Sequence, residues 1–189
     1  MKTRSTFRTL LLTLLVAPAF AFMSGDNGKT RTVKAVDYMM DIPQHMKSTR
    51  ELNDEASLQY QDPAAELYII VIDESKSEFI KTFKEIGDYN DSFSVVSNYS
   101  RVQLNSMIEK LRVTEGPFIE KGRVIHGMDA EVDDFKAYAE GIDESIYYKF
   151  AFIEGDKNMY MVMTWTLASR KKTHLPEMNG MIYSFRMQE

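Results

Sequence analysis

The chain has 189 residues, with 23 basic and 28 acidic side chains and a net charge of −5. Its 44% hydrophobic and 27% charged content is that of an ordinary globular protein and excludes a disordered or collagen-like chain. The acidic balance argues against the broad basic face that nucleic-acid binding needs. There is no cysteine, which excludes disulfides, thiolate metal sites and a cysteine nucleophile.

The N-terminus reads as a targeting segment. Lys2, Arg4 and Arg8 form a basic start, Leu10 to Val16 an apolar stretch, and Ala19-Phe20-Ala21 a small-x-small cleavage site. The apolar stretch is too short to span a bilayer, and Pro18 interrupts it. Residues 1–21 are therefore expected to be a signal peptide removed after Ala21, giving a periplasmic or secreted protein with no later transmembrane segment. Residues 22–32 read as a flexible leader, rich in Gly, Asp and Asn. Gly28-Lys29-Thr30 is not a phosphate loop, because Met23 stands where that loop needs its first glycine.

Strand character begins at Val33 and runs to Ile42, where Pro43 stops it. Ser57 to Gln61 is a short strand. Glu66 to Asp73 contains an unbroken β-branched run that suits a strand covered on both faces. Ser75 and Glu78 form a capping box, followed by Phe79, Ile80, Phe83 and Ile86 at helical spacing and by Gly87 as a stop. A second helix is expected from Val95 to Arg112, with Leu104, Met107, Ile108 and Leu111 in one stripe.

Strands return with Phe118–Ile125 and Met128–Tyr138 around a His126-Gly127 turn. Ser145–Glu154 and Asn158–Leu167 then make a hairpin through Gly155-Asp156-Lys157. Ile146, Tyr148, Phe150 and Phe152 share one face of the first strand. Met159, Met161, Met163, Trp165 and Leu167 share one face of the second. A closing helix is expected with Thr173 as N-cap and Pro176 in the first turn. Met178, Met181, Ile182 and Phe185 would face the sheet, over part of the methionine row, and Glu177, Asn179 and Tyr183 would lie nearer solvent. The order predicts an α+β fold, a mainly antiparallel sheet flanked by helices, in one domain over residues 33–189.

Several landmarks carry a resemblance. An opening strand ends in proline (Tyr38 to Pro43), and a turn reads Ile125-His126-Gly127-Met128-Asp129-Ala130. A hairpin with Tyr160 and Thr164 leads to a helix closing on Met181-Ile182-Tyr183-Ser184-Phe185. In these the chain resembles the PsbP-like exported proteins and their relatives, the Ran-binding Mog proteins and DcrB-type envelope proteins. Gln44-His45-Met46 stands where that family often carries Gly-Trp. The resemblance implies an αβα sandwich whose members mostly bind partners rather than catalyse. It transfers no site residue.

Three patterns compete as chemistry. Met159, Met161 and Met163 would suit Cu(I) as a thioether row, or simply fill a core. Asp129, Glu131 and Asp133 share a strand face with Asp134 beside them, which would suit Ca²⁺ or a solvated outer face. His45, His126 and His174 would serve a hydrolase, but no nucleophile motif accompanies them, and His126 and His174 are expected at the surface. No residue is assigned a catalytic, cofactor or metal role. The leading expectation is a non-enzymatic binding or interaction module of the bacterial cell envelope, acting on another envelope protein or a small ligand. An unrecognised envelope hydrolase and a metal carrier are the alternatives.

Overall fold

The computed structural model describes residues 28–188, so the expected signal peptide and most of the expected leader lie outside the described residues. The chain is α+β and mainly antiparallel. β1 (Thr30–Lys34) and β2 (Tyr38–Pro43) form a hairpin, and β3 (Lys47–Ser48), β4 (Leu58–Asp62) and β5 (Leu67–Ser75) follow. α1 (Lys76–Glu85) and α2 (Val95–Ile108) precede β6 (Arg112–Ile125), β7 (Met128–Tyr138), β8 (Ile146–Glu154) and β9 (Asn158–Leu167). α3 (Lys171–Tyr183) and β10 (Arg186–Met187) close the chain.

Seven strands form the main sheet in the order β3-β4-β5-β9-β8-β7-β6, and β1-β2-β10 form a small second sheet. The single strand expected from Val33 to Ile42 is thus two. The Ala35 amide donates to the Tyr38 carbonyl, reversing the chain at Val36, and Thr32 pairs with Asp41. β1 opens at Thr30, inside the segment expected as leader.

The central strands are buried on both faces because two layers cover them. One face of the sheet packs against α1 and α2 through Ile70, Phe150, Phe152, Met161 and Met163, with Phe79, Val96, Tyr99 and Leu104 from the helices. The other face packs against α3 and the small sheet through Ile69, Val71, Val162, Met178 and Ile182, with Tyr38 and Met40. Alternate residues of β5 point to opposite cores, which is why its β-branched run has no polar side.

α1 begins as expected, with the Ser75 hydroxyl accepting from the Glu78 amide. Ile86, however, is the C-cap and is exposed, because the chain turns out before the stripe reaches it. α2 ends at Ile108 rather than Arg112. The Leu111 amide closes a turn on the Ile108 carbonyl, and Leu111 packs beneath the helix after the chain has left it. β6 then begins six residues before Phe118, at Arg112. Thr173 is not the N-cap of α3. A 3₁₀ turn at Ala168–Arg170 feeds the helix directly, and the Ser169 amide is satisfied by the Glu144 carboxylate at 2.8 Å instead of a local cap. Pro176 consequently lies inside α3.

Candidate interaction surface

The methionine row is core. Met159, Met161 and Met163 are fully buried, against α1 and α2. Their burial fits the core-filling role weighed against the thioether site. The covering elements also differ from expectation: α3 covers the opposite face of the sheet, and the row does not lie beneath it.

The acidic strand is not a solvated face either. Asp129 is exposed at the start of β7, but Glu131 and Asp133 are buried under α2. The Ser97 hydroxyl donates to Glu131, and the Ser100 hydroxyl donates to Asp133 Oδ2 at 3.3 Å. Asp133 Oδ1 is buried without a hydrogen-bond partner. Burial pushes the Asp133 carboxyl up to about 7. The Ser100 hydrogen bond opposes this, and the charges of Glu131 and Asp134 add to it. The carboxylates therefore belong to the joint between sheet and helix. Among the described residues no group of three or more His, Cys, Asp and Glu side chains is arranged to hold a metal ion.

His126 is exposed in its turn, as expected, but His174 is buried. His174 Nδ1 lies 3.1 Å from Glu177 Oε2, and His45 Nε2 lies 3.0 Å from Glu177 Oε1. His45 Nδ1 lies 2.8 Å from Asp62 Oδ2. This chain of groups clasps α3 to the loop after β2 and to the end of β4. Burial tends to lower the His45 pKa, but hydrogen bonds to Glu177 and Asp62 outweigh it and raise the value. Glu177 is lowered, first by its bond to His174. No local pattern marks this clasp, because 132 residues separate its two ends.

The other outstanding feature is the edge of the main sheet. β6 is 14 residues long, and among the described residues β7 is its only strand neighbour, the other side carrying none. Phe118 is 54% exposed, Ile119 45% and Val124 64%. Phe93, from the loop before α2, is also exposed, with the Lys121 ammonium 5.6 Å from its ring centre. Natural edges are usually short, charged or covered. This one is long and displays apolar side chains, with Glu115, Pro117, Glu120, Lys121 and Arg123 interspersed among them. A signal was present in the sequence: Phe118 to Ile125 mixes exposed apolar and charged residues without a clear inward face. At the opposite end of the sheet, an open groove of about 530 Å³ lies between β1 and the β3–β4 region, with Lys34, Arg50, Asp54 and Tyr60 in its lining.

This layered arrangement is the PsbP/Mog1/DcrB-like fold, as two solved structures similar to it bear out. Cyanobacterial PsbP (CyanoP) from Synechocystis superimposes with a TM-score of 0.53 at 9% identity, over 88% of this chain and 98% of its own. The Ran-binding protein Mog1p of Saccharomyces cerevisiae gives 0.51 at 8% identity, over 84% and 95%. LpqN of Mycobacterium tuberculosis, described as involved in cell envelope biogenesis, gives 0.49 at 9% identity, over 85% and 91%. At such identities the likeness establishes the fold alone. The sequence matches no protein-family model and no curated protein.

Proposed function

We propose that this protein is an exported, non-enzymatic interaction module of the bacterial cell envelope that engages a protein partner along the β6 edge. The observation that carries the reading is the long strand with one unpaired side and with Phe118, Ile119 and Val124 exposed on it. An open edge offers a row of backbone donors and acceptors to an added strand, and exposed apolar side chains supply affinity. A neighbour of the same fold, Mog1p, is described as a Ran-binding protein, which is consistent with the reading. His45 has both ring nitrogens engaged by carboxylates rather than by a hydroxyl nucleophile, which also favours binding over hydrolysis.

Export rests on the order of basic start, apolar stretch and Ala19-Phe20-Ala21. Intact mass of the protein from an envelope fraction should show Met1 to Ala21 missing; a full-length mass would remove the export reading. For the partner, in-situ crosslinking should yield adducts that disappear in an Ile119→Lys/Val124→Lys variant. Adducts that persist unchanged in this variant would rule out the β6 edge.

A further inference from the structure

We infer, on the same edge-strand reading, that the partner is a second copy of this chain, with two β6 strands paired antiparallel about a two-fold axis. The basis is the bulge in β6. Glu120 pairs with Val132 and Arg123 with Ala130, so Lys121 and Gly122 together oppose Glu131 alone. Gly122 has a φ of 67°, the left-handed conformation that such a bulge uses. The two bulge residues count as one step of the pleat. The strand on either side then reads as a palindrome of chemistry: Phe118-Ile119-Glu120, the bulge, Arg123-Val124-Ile125.

Placing the bulge of one copy against the bulge of the other sets Glu120 opposite Arg123 of the second copy, and Ile119 opposite Val124. Each pairing occurs twice by symmetry. The faces agree as well. Ile119 lies opposite Asp133 and Val124 opposite Asp129, both on the α2 side of β7. Glu120 and Arg123 lie opposite Val132 and Ala130, on the α3 side. In a strand without the bulge, positions 119 and 124 would point to opposite faces, and so would 120 and 123. The bulge brings each set to one face, as paired residues in a continuous sheet require. Glu120 and Arg123 are now paired within the chain, with Arg123 Nε 2.8 Å from the Glu120 carboxylate, and both remain half-exposed and accessible to a second copy. Lys121, next to the axis, is drawn aside over its own Phe93 ring.

The test is the oligomeric state of the purified protein by sedimentation and light scattering, over roughly 1 to 500 µM, the range expected of a modest interface. The expected result is a monomer–dimer equilibrium. Glu120→Arg alone and Arg123→Glu alone should each weaken it about tenfold or more, because each creates two like-charge pairs across the axis. The double variant Glu120→Arg/Arg123→Glu should restore it, which a merely unfolded or non-specific surface would not do. Thermal melts of the exposed variants should match the parent. A protein that stays monomeric throughout, or a dimer indifferent to the charge swap, overturns the proposal. If it stays monomeric while Ile119→Lys/Val124→Lys still abolishes crosslinked adducts, the edge binds a different protein and only the self-pairing falls. If neither effect is seen, the edge reading falls with it.

Discussion

Asp133 shows how a single residue's surroundings decide its chemistry. Its carboxyl is held up to about 7 chiefly by burial beneath α2. The folded protein thus keeps a proton that the unfolded chain releases near the ordinary value of 3.8. Between those values the native state binds more protons, so this group makes stability fall as pH rises from about 4 to about 7. Asp133→Asn should flatten that fall and add on the order of 1–3 kcal/mol at pH 8. Urea titrations at pH 5 and pH 8 measure it, and equal stabilities of variant and parent at pH 8 would refute the assignment. The Glu177 clasp combines both senses. His45 is raised, so its contribution is full below its ordinary 6.5 and lost as pH climbs through the folded value. Glu177 is lowered, so its contribution is full above its ordinary 4.5 and lost as pH falls through the folded value. The two overlap between about pH 4.5 and 6.5. Glu177→Gln should cost about 1–3 kcal/mol at pH 5.5, as for hydrogen bonds between charged groups, and distinctly less at pH 9. A cost independent of pH would mean that packing, not charge, makes the clasp.

At the scale of elements, α3 depends on what it touches. Gly180 lies inside it, and its N-cap makes no side-chain hydrogen bond, so its intrinsic helicity is low and tertiary contact must supply the rest. Met178, Met181, Ile182 and Phe185 are buried as their spacing predicts, and the Ser184 hydroxyl accepts from the Asp41 amide of β2 at 2.8 Å. Truncation before Pro176 should therefore uncover the sheet face carrying Ile69, Val71 and Val162, together with the inner side of the small sheet. The shortened protein should aggregate on heating and bind a hydrophobic dye. A monomeric protein with the parent's melting temperature would make α3 peripheral. The capped start of α1 was legible because Ser75 acts on an amide three residues away, as Ser94 does at the start of α2. The start of α3 was not, because a 3₁₀ turn feeds it and that turn's Ser169 amide is satisfied by Glu144, 25 residues back.

The whole molecule has two hydrophobic clusters but one sheet between them, with β5, β8 and β9 contributing to both. Neither cluster can open without stripping one face of those strands. Met161→Ala, on the α1–α2 side, and Ile182→Ala, on the α3 side, should each cost about 2–5 kcal/mol through lost burial and a cavity. Both should lower the same single calorimetric transition, by roughly 2–4 °C per kcal/mol for a domain of this size. A second transition appearing in either variant would show that the clusters melt independently and that the sheet does not couple them.

The sequence by itself determined the α+β class, the mainly antiparallel order, the strand buried on both sides and the stripe of α3. Each follows from periodicity and capping within a few turns of chain. It also carried the resemblance that the fold bears out. Tertiary structure alone decided which helix covers which face. A row such as Met159, Met161 and Met163 reads as apolar whichever layer covers it. Only the chain's path places α1 and α2 over that row and α3 on the reverse. The same path buried Glu131 and Asp133, which local patterning leaves in solvent, and joined His45 to Glu177 across the length of the chain. Solvent exposure and long-range pairing are properties of layers and neighbours, and the order of residues along one strand does not contain them.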